Sequence, residues 1–178
     1  MEKFAKQIQK EALALGACSP GMGDLLNAGD NKPALVQLYL KKLEFCLEND
    51  FPSNDFLREH GKGIMESFGI FLDDRINLTN YRKCVALGKT SGNVVVTSYN
   101  VCQIYAKHHS DLRIEASDNA FVMVYVYDDS QVTVHAQGRA KVHVNRYGGK
   151  IATAKDGQAV VKVVEKNNKQ EIKWKQVI

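Results

Sequence analysis

Apolar residues along this chain follow two different periods. Over the first seventy or so residues they recur at helical spacing. Phe4, Ile8, Ala12 and Leu15 make one face of a helix over residues 3–16, with lysine and glutamine between them. Ser19-Pro20-Gly21 ends it, and Gly23 to Gly29 leaves room for a short turn around Leu25 and Leu26. A second, stronger helix begins at a cap on Asp30 or Asn31, with Pro33 in the first turn, where its missing N–H costs nothing. Leu35, Leu38, Tyr39, Leu43, Cys46 and Leu47 form its apolar stripe down to Asn49-Asp50. A short third helix starts at Pro52-Ser53 and runs through Phe56 and Leu57. A last one follows Gly61-Lys62-Gly63 and stops at Gly69, a residue suited to a left-handed cap. Ile70-Phe71-Leu72 reads as a strand, Asp73-Asp74 as a turn and Asn77-Leu78-Thr79 as a polar loop.

From about Asn93 to Val164 the period changes to two, and a longer one appears above it. Residues 110–129 and 130–149 align without a gap. Leu112 falls on Val132, Ile114 on Val134, Ala116 on Ala136, Val122 on Val142, Val124 on Val144 and Tyr127 on Tyr147. The same step backward puts Val94 on Ile114, Cys102 on Val122 and Tyr105 on Tyr125. Forward, a step of 19 puts Ile151 on Val132 and Val161 on Val142. Each unit holds two alternating runs separated by turn formers, such as Ser117-Asp118-Asn119 and Asp128-Asp129.

A repeat of this length with two strands per unit predicts a β-solenoid, one unit per coil, with equivalent side chains stacked in columns about 4.8 Å apart. An antiparallel meander would also show a turn every ten residues or so, but hairpins have no need of near-identity at 20. The predicted fold is therefore α+β: a helical domain over residues 1–80, then a parallel β-helix over 81–178 of about four 20-residue coils. The lysine-rich tail from Lys166 to Lys175, with Trp174 as a plug, is expected to cap its open end.

The outward columns carry the candidate site. With Val122, Val124 and Val126 turned in, Phe121, Met123, Tyr125 and Tyr127 turn out. Val101 then stacks beside Phe121 and Tyr105 beside Tyr125, while the next coil offers Lys141, His143 and Asn145. An apolar patch of this kind has to be covered, either by the N-terminal helices or by a subunit or partner. Val101, Tyr105, Phe121, Met123, Tyr125 and Tyr127 are the interface candidates.

Composition narrows the class without naming a reaction. The chain has 178 residues, 44% hydrophobic and 25% charged, as in ordinary globular domains. It has no apolar run of the roughly 20 residues that span a bilayer, and no apolar leader core. Both point to a protein made and kept in a cytoplasm. The four cysteines, Cys18, Cys46, Cys84 and Cys102, are far apart and read as free thiols. Net charge is +4, with −1 over residues 1–88 and +5 over 89–178. The basic residues are spread along the chain, so nucleic-acid binding through the tail is a secondary reading.

Leu87-Gly88-Lys89-Thr90 ends like a phosphate-binding loop, but Lys83 stands where the first glycine belongs and a β run follows. Glu115 and His135 share an outward column, with Arg113 nearby and Lys155 near the next rung. His143 lies on the other run, so no metal is predicted. Cys102 falls in an inward column and reads as packed. No catalytic residue, cofactor or metal follows from these patterns.

The helical segment containing Phe45-Cys-Leu-Glu-Asn-Asp-Phe-Pro-Ser-Asn-Asp-Phe56, followed by Gly69-Ile-Phe-Leu-Asp-Asp74 and a short-coil β run, resembles uncharacterised proteins encoded by phages and related mobile elements of gut bacteria. The resemblance implies a viral structural or host-interaction role, with incorporation into a virion as one destination. The first expectation is thus a non-enzymatic assembly or interaction protein, forming a homo-oligomer or binding another protein. The alternatives are a polysaccharide-acting enzyme or carbohydrate-binding module using Arg113, Glu115 and His135, and a nucleic-acid-binding regulator.

Overall fold

A computed structural model describes residues 4–166. The chain divides after Phe68 into two compact units. No helix among the described residues is long and apolar enough to cross a membrane.

The first unit holds helices α1 (Phe4–Ala14), α2 (Ser19–Ala28), α3 (Lys32–Lys41), α4 (Leu43–Glu48) and α5 (Asn54–His60), then a 3-10 turn over Met65–Phe68. Ala5, Ile8 and Ala12 give α1 its buried face; Leu15 lies past its end and is exposed. The segment expected to hold only a turn is the ten-residue helix α2. Pro20 sits in its first turn, Leu25 is its buried anchor, and Gly29 caps it at φ 53°. Pre-organisation at both ends outweighs the helix cost of Gly21 and Gly23. Asn31 caps α3, its side chain accepting from the Ala34 N–H at 3.1 Å. The stripe expected to form one helix to Asn49 is broken at Lys42 (φ −110°, ψ 27°) into α3 and α4. Ser53 caps α5 by accepting from Phe56 N–H.

The second unit is a β-solenoid. Its strands are β1 (Ile70–Leu72), β2 (Arg75–Thr79), β3 (Lys83–Leu87), β4 (Ser91–Val96), β5 (Val101–Ala106) and β6 (Asp111–Ala116). They continue as β7 (Phe121–Val126), β8 (Gln131–Ala136), β9 (Lys141–Arg146), β10 (Lys150–Lys155) and β11 (Val160–Glu165). Odd-numbered strands form one six-stranded parallel sheet and even-numbered strands a five-stranded one, so each coil contributes one strand to each. The register repeats the sequence arithmetic: Val101 pairs with Phe121 and Ile114 with Val134 at a step of 20, and Ile151 with Val132 and Val161 with Val142 at 19. The shorter step has a local origin. Three residues rather than four join β9 to β10, and the Arg146 guanidinium closes that turn on the Gly149 carbonyl oxygen, Nη2 at 2.7 Å.

Among the described residues, eleven strands make five and a half coils, and the solenoid starts at residue 70 instead of 81. The first coil escapes the repeat because β1 pairs with β3 at a step of 15 and β2 with β4 at 16. Asn77 and Thr79, expected in a loop, are outward residues of β2. The last expected turn, at Asn167-Asn168, and the tail cap with Trp174 lie outside the described residues.

Between the sheets the inward residues of successive coils pack into one core, including Ile104, Ile114, Val124, Val134 and Val144, all fully buried. The core is narrow and aliphatic because every inward position is Val, Ala, Ile, Leu or Cys over the central coils. Turns between coils stack as well. Ser98, Asp118 and Gly138 hold the same left-handed position at φ 59°, 60° and 67°, as do His108 and Asp128 on the opposite side. Side chains at this position tie one coil to the previous one: Asp118 Oδ2 accepts from Ser98 N–H, Asp128 Oδ2 from His108 N–H, and His108 Nδ1 from Gly88 N–H. Gly92 (φ 140°) is required for another reason. A Cβ there would overlap the carbonyl oxygen of Ile76 on the adjacent strand.

Candidate functional site

The outward side of the six-stranded sheet carries three columns. The register places Tyr105 on Tyr125 and Asn145, Gln103 on Met123 and His143, and Val101 on Phe121 and Lys141. Tyr105 and Tyr125 stack with ring centroids 4.6 Å apart and planes within 5°. Parallel in-register strands put identical side chains one rung apart, close to the optimum for offset stacking. Tyr105, Met123 and Tyr125 are half-buried.

Tyr127 belongs elsewhere. It opens the turn after β7 rather than extending the outward column, because β7 ends at Val126. Its ring stacks on Tyr147 at 4.8 Å, one coil on, and the Lys107 ammonium lies 5.7 Å from its centroid while pairing with Asp128 Oδ2 at 2.9 Å. This is a turn-stabilising arrangement in which a buried lysine lies between a carboxylate and a ring face.

Exposure concentrates in the first column. Val101 is 55% and Phe121 38% exposed, and the column runs further than the six candidates indicate. The β3–β5 ladder begins at Lys83–Gln103, with Gln103 N–H donating to the Arg82 carbonyl, and Tyr81, just before β3, stands one 20-residue step before Val101 in the sequence. At the other end Val160 pairs with Lys141. Tyr81 is 41% and Val160 49% exposed, and Tyr99, in the turn entering β5, is 83% exposed. The result is a stripe Tyr81–Val101–Phe121–Lys141–Val160 along one margin of the sheet. Tyr81, Val101 and Phe121 stand at the 20-residue step and Val160 at the 19-residue step, so the period held the signal. Tyr99 sits in a turn, where only the structure reveals its exposure.

The five-stranded sheet has a polar outer side. Arg75, Asn77, Ser91, Asn93, Asp111 and Arg113 line an open depression of about 530 Å³. Arg113 Nε donates to Glu115 Oε1 at 3.0 Å, and His135, beside Glu115 in register, meets Asp156 Oδ2 at 2.8 Å. The residue beyond His135 in this column is Ala154 and not Lys155, since the step here is 19. Elsewhere, His108 Nδ1 accepts the Gly88 N–H at 3.1 Å, and His143 stands beside Met123 on the other sheet.

Leu87-Gly88-Lys89-Thr90 forms the turn between β3 and β4. The Thr90 hydroxyl is buried against the carbonyls of Leu87 (2.7 Å) and Phe71 (3.1 Å), which makes it a turn lock. Burial pushes the thiols of Cys46 and Cys102 up to about 12, and that of Cys84, beside Cys102, higher still. Burial, with Cys46 and Asp50 nearby, also raises Tyr39. All four are thereby held protonated and unreactive at neutral pH.

No family model, curated protein or solved structure matches the chain.

Proposed function

We propose that this protein is a non-enzymatic assembly or protein-interaction module that uses its β-solenoid as a rigid display surface. The observation that carries the reading is the exposed apolar stripe Tyr81–Val101–Phe121–Val160. Stacking on consecutive rungs fixes its side chains along a line of about 19 Å, four rungs of about 4.8 Å each. Isolated exposed apolar residues are ordinary, but three successive apolar positions, Tyr81, Val101 and Phe121, with Val160 beyond Lys141, have the make-up of the buried part of an interface. The resemblance to phage-encoded proteins adds a viral assembly or host-interaction setting to the proposal, with a cytoplasmic site of synthesis.

The test combines solution mass by light scattering over a concentration series with site-specific photocrosslinking from position 121. Position 113 on the five-stranded sheet serves as control. A wild-type oligomer dissociated by Phe121→Asp supports the proposal, as do crosslinks to discrete proteins from 121 and not from 113. A monomer with equal crosslinking, or none, from both positions would sink it.

The polar depression between Arg75 and Arg113 favours a second reading, carbohydrate binding, since paired amides, a hydroxyl and guanidinium groups suit sugar hydroxyls. Titration of soluble polysaccharides against wild type and Asn93→Ala tests it; heats no larger than buffer dilution would remove it.

A further inference from the structure

Resting on the proposal that the stripe is a protein-binding surface, we infer that its occupant is an acidic amphipathic helix of a partner protein, lying along the solenoid axis. The first ground is charge. Cations scattered in sequence converge on this margin. Arg82 adjoins Tyr81, Arg139 sits in the turn leading into β9, and Lys141 and Lys162 face outward beside Phe121 and Val160. All four are exposed. Of the two acids in the same set of turns, Asp156 pairs with His135 of the other sheet, and Asp118, whose Oδ2 accepts the Ser98 N–H, sets one negative charge against these four positive ones. Among the described residues, none of these four cations has a carboxylate partner. An apolar row flanked by net positive charge fits a partner presenting apolar anchors between carboxylates.

The second ground is spacing. A helix repeats its face about every 5.4 Å along its axis and the solenoid about every 4.8 Å, so over four rungs they drift by about 2.4 Å, less than half a turn. An extended strand repeats its face every 6.6–6.8 Å or so and loses step within two rungs. Anchors at i, i+4 and i+7 would meet Tyr81, Val101 and Phe121, a carboxylate at i+11 would meet Lys141, and an anchor at i+14 would meet Val160, over about 15 residues. A second copy of this chain is disfavoured. Antiparallel two-fold packing about Phe121 would set Lys83 against Lys162, since they stand two positions along β3 and β11 from Tyr81 and Val160. Single-stranded nucleic acid is a poorer fit because two of the four apolar positions are valine and offer no π-face.

The experiment measures fluorescence anisotropy with the full chain and a labelled designed helix of about 15 residues, carrying leucines at those anchors and glutamates beside them. A lysine-for-glutamate counterpart and a labelled oligothymidylate are the comparison probes. The acidic helix is expected to bind at least about tenfold more tightly than the basic one. Binding should weaken several-fold as salt rises from about 0.05 to about 0.5 M. Phe121→Asp and the pair Arg139→Glu/Lys141→Glu should each cost about tenfold at unchanged melting temperature, and Arg113→Glu should cost nothing. Equal binding of the two helices, or an equal loss from Arg113→Glu, would overturn the inference. Tighter binding of oligothymidylate that Phe121→Asp abolishes would replace it with a nucleic-acid site. A wild-type oligomer that Phe121→Asp dissociates would leave the protein-binding reading standing and assign the stripe to a second copy.

Discussion

Truncating Ile104 probes the architecture most directly. Its side chain is fully buried in the core, on the rung between Cys84 and Val124. Replacing it by alanine removes three carbons, worth about 2.4 kcal/mol at about 0.8 kcal/mol per buried CH₂. The β-ladders above and below hold the backbone, so the void closes incompletely and adds up to about 2 kcal/mol, at about 24 cal/mol per Å³. Ile104→Ala should therefore destabilise the solenoid by about 3–4 kcal/mol. Gln103→Ala and Val101→Ala, on the same strand but facing out, should stay within about 0.5 kcal/mol. The assay is urea unfolding followed by circular dichroism, with hydrogen exchange to localise the effect. Because each coil is stabilised by its neighbours, lost amide protection should appear first in β3, β5 and β7. If Ile104→Ala and Gln103→Ala fell within about 1 kcal/mol of each other, the alternation assigned to β5 would be wrong, and with it the stacked register.

Two further outcomes follow from buried polar groups. Ser130 Oγ donates to Tyr127 O at 2.6 Å and reaches Ala106 O at 3.1 Å, whereas Ser110 Oγ, its equivalent one coil earlier, is buried with no hydrogen-bond partner among the described residues. Ser130→Ala should cost about 1 kcal/mol, and Ser110→Ala should be neutral or stabilising, both read as unfolding midpoints; a larger loss at 110 than at 130 would contradict this assignment. A thiol reagent at pH 8 should label exposed Cys18 at once and Cys46, Cys84 and Cys102 only on unfolding. Their folded pKa values are raised, so their contribution is complete below the unfolded value of about 9. It falls by about 1.4 kcal/mol per thiol per pH unit above it, towards about 12. An unfolding midpoint unchanged between pH 8 and pH 10 would refute the burial of these thiols.

Sequence by itself determined the solenoid wherever the repeat was whole. A parallel, in-register stack forces equivalent residues onto one column, so matched pairs such as Ile114 and Val134, and the change of step at Ile151, were legible as arithmetic on residue numbers. Tertiary structure decided what the arithmetic could not reach. The first coil is built from shorter strands at steps of 15 and 16, and only pairing in space identifies it. Helix α2 forms where two glycines argue against one, because its caps and the burial of Leu25 outweigh local propensity. The stripe was half legible: Val101 and Phe121 followed from alternation. Its extent to Tyr81 and Val160, the exposure of Tyr99 and the convergence of Arg82, Arg139, Lys141 and Lys162 required the coils to be wound. Alternation fixes which way a side chain points; how much water reaches it depends on what the rest of the chain leaves uncovered.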